Sequence, residues 1–199
     1  IDRLNFSSGG FDVSYSDKMS SVLNVKYKIP QQWGGCARLN MLGASAHLEG
    51  VVKKNDGLHY SHITGFRYKK NSYVLGSMDT KGDYNPTFID LQSQHTWQIK
   101  NFSINALGYY SNNRYQFEPT DRETTFGTLT DTKKFVVYFE GEEDDRYRTG
   151  LLTTSASYYI NEANSLSFCA TMYRSKEQEN YDILGEYWLQ QASDDDKIG

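Results

Sequence analysis

Leu166-Ser-Phe-Cys-Ala-Thr-Met172 is the stretch on which the fold turns. Leu166, Phe168, Ala170 and Met172 take alternate positions, and Ser167, Cys169 and Thr171 fill the gaps. Side chains on a strand point alternately to opposite faces. The segment therefore predicts a ribbon with one apolar surface and one mostly polar surface. Phe102-Ser-Ile-Asn-Ala-Leu-Gly-Tyr-Tyr110 repeats the pattern, with Phe102, Ile104, Ala106 and Tyr110 on one side. Its other side carries Ser103, Asn105, Leu107 and Tyr109.

Working outward, Val, Ile, Thr, Tyr and Phe recur in short runs separated by Asn, Asp, Gly and Lys, with only 3 prolines in 199 residues. Such runs predict strands, and no apolar stripe of helical period competes with them. Strands are expected near 36–43, 44–53, 58–69, 86–98, 102–114, 148–160, 165–176 and 181–190. Lys54-Asn-Asp-Gly57 is a tight hairpin signal, and Lys100-Asn101 and Asn161-Glu-Ala-Asn164 are also short. Longer connections are expected at 70–85, 115–147 and 177–180. Alternating short and long connections predict an all-β, antiparallel up-and-down sheet with tight turns at one end and loops at the other.

The composition narrows the class. Aromatics make up 15% of the chain and Tyr alone supplies 16 residues, so the chain folds; mean hydropathy is -0.69 and only 38% of residues are hydrophobic, thin for a large dry core. A net charge of -4 without a basic block gives no footprint for nucleic acid. The longest apolar run, Phe135-Val-Val-Tyr-Phe139, is far short of a spanning helix. Transmembrane barrels remain open, because their strands are only half apolar. Tyr60, Tyr68, Trp97, Tyr109, Tyr110, Tyr158, Tyr159, Tyr187 and Trp188 sit near strand ends, where interfacial girdles would place them. Cross-strand packing in a soluble sheet would also account for them. Cys36 and Cys169 have neither a disulfide framework nor metal-ligand spacing, and unpaired thiols are expected.

Gly9-Gly-Phe-Asp-Val-Ser-Tyr-Ser-Asp-Lys-Met-Ser-Ser-Val-Leu-Asn-Val-Lys-Tyr-Lys28 resembles the end of the plug domain in TonB-dependent outer-membrane receptors. Leu42-Gly-Ala-Ser-Ala-His47, Leu75-Gly-Ser-Met-Asp-Thr-Lys-Gly-Asp-Tyr-Asn-Pro86 and Phe135-Val-Val-Tyr-Phe-Glu-Gly-Glu-Glu-Asp-Asp145 resemble early barrel segments of Bacteroides-group members. The resemblance covers most of residues 6–190. It implies that 1–35 form the plug's end and linker, with residues 22–28 as its last strand. Residues 36–199 would be the first strands of a transmembrane barrel, about eight of some 22. No TonB-box segment or signal peptide is seen, and Asp194-Asp-Asp-Lys-Ile-Gly199 lacks a closing aromatic strand. The expectation is an internal piece of a longer receptor in the bacterial outer membrane. The implied partners are membrane lipid, the rest of the barrel, the TonB system and a small nutrient: siderophore, cobalamin or oligosaccharide. Two rivals remain. One is a complete eight-stranded barrel in which 181–190 pairs with 36–43. The other is a soluble carbohydrate-binding module that stacks sugars on Trp33, Trp97 and Trp188.

Few residues suggest chemistry. His59 and His62 would point to opposite faces of one strand, a poor two-ligand site, and His47 and His95 have no evident partner. Glu140-Gly-Glu-Glu-Asp-Asp145 holds five carboxylates and could take calcium through oxygen ligands. Arg146 and Arg148 could neutralise it without a metal. Asp79-Thr-Lys-Gly-Asp83 reads as a turn. No nucleophile elbow, phosphate loop or zinc motif occurs. No catalytic residue, ligand-binding residue, metal ligand or cofactor is assigned, and no enzyme is expected.

Overall fold

The structure, a computed structural model, describes residues 2–15, 20–53, 57–75, 82–128 and 131–191. Strands β1 (Arg3–Ser7) and β2 (Val22–Lys26) form a small antiparallel pair of their own. The main sheet contains β3 (Gly34–Asn40), β4 (Gly43–Lys53), β5 (Leu58–Lys70), β6 (Gly82–Tyr84), β7 (Thr87–Ile99), β8 (Phe102–Pro119), β9 (Arg122–Thr128), β10 (Asp131–Tyr159) and β11 (Ser165–Gln191). A single helical turn, α1 (Ser72–Leu75), precedes β6. The order across the sheet is β11-β10-β8-β7-β5-β4-β3, every pair antiparallel; β6 adds to β8 and β9 to β10. The sheet curls into a half-barrel of up-and-down strands, the expected fold class.

The strand count differs from expectation. Segments 165–176 and 181–190 are one strand, β11, and the expected break at 177–180 is paired with 144–147 of β10. The expected long loop at 115–147 is mostly strand as well, with β9 folded back on β10. Within them, residues 140–146 and 174–180 are polar on both sides. Only a half-buried strand needs alternation; a solvated strand needs only a partner for its backbone. β10 and β11 therefore run 29 and 27 residues, roughly 90 Å at about 3.3 Å per residue.

The lower turns are short. Lys100 takes φ 50° between β7 and β8. Asn161 Oδ1 accepts from the N–H groups of Ala163 and Asn164 between β10 and β11. The Asp-Gly turn lies mostly outside the described residues, although Gly57 shows φ 84°. At the upper end the connection from β5 to β7 is long, as expected, whereas β8 reaches β10 through β9 over a much shorter span than expected, and β3 turns into β4 through Met41-Leu42 alone. Most of the turn expected at 79–83 also lies outside the described residues.

Register sorts the side chains into two faces. One carries Leu58, Tyr60, Phe66 and Tyr68 of β5, Ile89, Leu91, Trp97 and Ile99 of β7, and Phe102, Ile104, Ala106 and Tyr110 of β8. It continues through Leu152, Ala156 and Tyr158 of β10 to Leu166, Phe168, Ala170 and Met172 of β11. The other face carries Ser45, His47, Arg67, Asp90, Gln92, Asn105, Ser155 and Thr171. Ser61, Ser111 and Asp145, the buried polar residues, lie on this second face, where a curled sheet crowds its inner side. Tyr27 and Lys28 reach the same side, Tyr27 to Gln92 and Lys28 Nζ to Glu49 Oε1 at 2.7 Å.

The apolar face is uncovered. Leu166, Phe168 and Met172 are 69%, 69% and 71% exposed, and Val136 is the one buried hydrophobic residue among those described. The apolar band also drifts across the hydrogen-bonded rows. Leu39, Ala44, Tyr68 and Ile89 share a row with Asn112, Arg148 and Lys176. The band therefore reaches this row on β3 to β7 and stops short of it on β8 to β11. Of the aromatics expected at strand ends, Tyr60, Trp97 and Tyr158 lie low in the band and Tyr68 and Tyr110 high. Tyr109 and Tyr159 face the polar side, and Tyr187 and Trp188 stand far above the band.

Gly141 holds φ 95° within β10, and a Cβ there would collide with the Asp182 carbonyl oxygen. Gly141→Ala is expected to destabilise the upper β10–β11 ladder by about 1–3 kcal/mol. Faster amide exchange at 182–184, with exchange at 166–172 unchanged, is the confirming result.

Candidate functional site

The polar face offers an open recess of about 380 Å³ between β4, β5, β7 and β8, lined by Ser45, His47, Arg67, Asp90, Gln92 and Tyr109 among others. Its centre is an ion pair. Arg67 Nε donates to Asp90 Oδ2 at 2.8 Å, and the Tyr109 hydroxyl donates to Asp90 Oδ1 at 3.1 Å. Gly65 keeps the floor open, since nothing lies within 4 Å of where its Cβ would be. The recess presents donors and acceptors beside an aromatic ring, a surface suited to a polar, hydroxylated molecule or to a polypeptide. Sequence reasoning missed it, because it joins four strands at one height.

Residues 140–145 form part of β10, not a loop. The strand sends their carboxylates to alternate sides, so the run does not converge. Among the described residues no group of three or more His, Cys, Asp or Glu is arranged to hold a metal ion. Asp144 instead lies between two guanidinium groups on the side of the apolar band, above its upper edge. Arg114 Nε and NH2 reach its oxygens at 2.7 and 2.9 Å, and Arg146 NH2 at 2.9 Å. Arg146 was an expected partner. The second is Arg114 of β8, thirty residues away, rather than Arg148. Hydrogen bonds from Arg114 and then Arg146 hold the Asp144 carboxyl well below the usual carboxylate range, and the bond to Asp144 raises Arg114.

On the inner side at the same height, Asp145 sits between Tyr115 of β8 and Glu179 of β11. Burial, followed by the charge of Asp145, pushes Glu143 up. Burial also pushes Tyr115 up. The Tyr147 hydroxyl donates to Glu179 Oε1 at 3.0 Å, and this bond pushes the phenol up to about 12.

The histidines fall as follows. His59 and His62 do point to opposite faces. His47 lines the recess. His95, expected to lack a partner, lies directly opposite His62, with ring centroids 6.3 Å apart. Neither ring nitrogen of His95 is idle: Tyr60 Oη is 2.7 Å from Nδ1 and Ser93 Oγ is 2.9 Å from Nε2. Thr64 Oγ1 extends the chain to Ser93 at 2.7 Å. Trp33 and Trp97 pack against these rings on the apolar face, so they do not line the recess. Cys36 and Cys169 are free and exposed thiols. The chain matches no protein-family model, no curated protein and no solved structure.

Two titrations check these contacts. Asp144 is depressed, so its contribution to stability is present above about pH 4, the ordinary carboxylate value. It is lost as pH falls from there toward the folded value. Amide exchange at 114–116 should quicken on acidification below pH 4, and Asp144→Asn should abolish that dependence. Tyr147 is raised, so its contribution is complete below about pH 10 and lost as pH rises through about 12. Glu179→Gln should move one tyrosine transition, followed by ultraviolet absorbance, back toward pH 10.

Proposed function

We propose that this chain is the end of a plug and the first wall strands of a TonB-dependent outer-membrane receptor, which takes up a scarce nutrient. The observation that carries the reading is the uncovered apolar band with a polar face behind it. A soluble domain of this length buries such a face. Here a largely apolar surface several strands wide, broken by His62, Thr64, Ser93, His95 and Thr154, is bare, and monomeric soluble proteins rarely expose such a patch. Its drift across the rows also fits. A flat bilayer wets tilted strands at one depth, and strand tilt shifts that depth from strand to strand. Aromatics at the lower and upper margins of the band agree with interfacial girdles.

The rest follows the same logic. Tyr27 and Lys28 approach the polar face, as a segment leaving a plug inside the lumen would. The recess around Arg67 and Asp90 is then lumen wall, available to the plug or to a passing nutrient. On this reading the expected loops 70–85 and 115–147 would supply nutrient selection at the outer mouth. Energy delivered through TonB would shift the plug. The closed eight-stranded alternative needs 181–190 beside 36–43; β11 and β3 are the two ends of the path, and no pairing joins them among the described residues. The soluble sugar-binding alternative needs a buried core, and the tryptophans it would use are on the bare band or far above it.

Phe168→Arg places a charge on the lipid side of the band and is expected to cost about 2–4 kcal/mol near the bilayer midplane. Thr171→Arg, on the polar face, is expected to be tolerated. Heat-modifiable gel mobility of the full-length protein in isolated outer membranes reports both; equal tolerance would sink the membrane reading. Transport is tested separately by uptake of a ferric siderophore, cyanocobalamin and a neutral oligosaccharide into expressing cells, with and without a protonophore. Energy-dependent uptake of one of them is expected, and uptake of none overturns the transport role.

A further inference from the structure

At the upper margin of the apolar band, β8, β10 and β11 carry a positively charged tier on the band's own face. Register stacks it in three rows. The lowest holds Tyr110, Gly150 and Arg174, the next Asn112, Arg148 and Lys176, and the third Arg114, Arg146 and Gln178. Five cations thus share a patch about 14 Å tall and about 10 Å wide, from the residue rise and strand spacing of a sheet. On β5 and β7 the same rows hold Phe66 and Leu91, Tyr68 and Ile89, then Lys70 and Thr87. The charge is therefore concentrated on one sector of the wall. Asp144, in the row above, bonds both Arg114 and Arg146 and holds side by side two guanidinium groups that repel each other. Glu118, Glu142 and Asp182 lie a further row up. Arg148, Arg174 and Lys176 are exposed, and among the described residues no ion pair or hydrogen bond takes up their side chains. Beside Arg174 the wall has a notch, since nothing lies within 4 Å of where a Gly150 Cβ would stand.

We propose, resting on the membrane reading, that this tier binds the phosphate groups of a lipid in the outer leaflet. On that reading the apolar band marks the depth of acyl chains, and the tier meets the head groups just above them. The planar guanidinium fork pairs with phosphate through two parallel bonds, and four of the five cations are arginines. A phosphorylated lipid matches both parts in the order the wall presents them. Its chains lie along Leu152, Phe168 and Met172, and its phosphates reach Arg174, Arg148 and Lys176 above. The notch at Gly150 gives the head group room between the Tyr110 ring and Arg174. A soluble anion would use the upper part alone.

The test uses the full-length protein in dodecyl maltoside micelles and radiolabelled lipid A bearing both of its phosphates. The parent is expected to bind it. Arg148→Gln, Arg174→Gln and Lys176→Gln together should weaken binding by about tenfold or more, through loss of charge-assisted bonds, while the heat-modifiable band is kept. Lys53→Gln with Lys100→Gln, at the lower end of the wall, should bind as the parent does. Equal binding by the triple variant and the parent, or equal binding of lipid A stripped of phosphate, overturns the proposal. So does displacement of the lipid by an equal concentration of inorganic phosphate, which would make the tier a site for free anions. A nitroxide at position 168 separates this proposal from its premise, in protein with Cys36 and Cys169 replaced by serine and inserted in vesicles of phosphatidylethanolamine and phosphatidylglycerol. A label that senses lipid-soluble oxygen, together with failed lipid A binding, overturns the proposal alone. A water-exposed label overturns the membrane reading as well.

Discussion

Backbone hydrogen bonding, not side-chain burial, is the constraint on which this structure depends. With one buried hydrophobic residue among those described, no core can hold the strands in place. Each strand from β4 to β10 along the wall is paired on both sides through long registers. Among the described residues, β3 and β11 are the strands that end the main path with one edge unpaired. Edges of that kind are templates for further pairing, and in lipid an unpaired edge is untenable. The half-barrel is thus a geometry that calls for more strands, which is how the proposed larger wall would complete it.

Strand periodicity then assigns the chemistry. Because side chains alternate strictly, one register decides every residue's surroundings at once. The bare side is apolar and the sheltered side carries Arg67, Asp90, Gln92 and Tyr109. One residue of slippage would exchange the two along a whole strand. Hydrogen-bonded and stacked cross-strand pairs oppose such slippage between β5 and β7. Tyr60, His95, Ser93 and Thr64 form one connected set across that seam, and His62 stacks beside it.

Much of the wall is legible in the sequence where a strand has two unlike environments. Leu166 to Met172 and Phe102 to Tyr110 reveal both period and face without help. Legibility fails where both environments are alike. Around Glu177 and Gln178, and along residues 140–145, polar side chains on both faces hide strands that the backbone ladder makes plain. The site is less legible still, because its contacts join distant residues. Arg114 meets Asp144, and His62 meets His95, only through register. An alternating pattern shows which way a residue points, not what stands opposite it. The histidines on one strand could be separated by parity alone, and that reading agrees with the structure.

The β10–β11 hairpin carries a mechanical consequence. Its pairing is continuous from Lys133 opposite Gln191 down to Tyr159 opposite Ser165. No loop, hinge or missing rung divides the distal tip from the tight bend at 161–164. A sideways push on the summit is therefore transmitted through one stiff blade to the far rim, so a collision at the top is felt at the base.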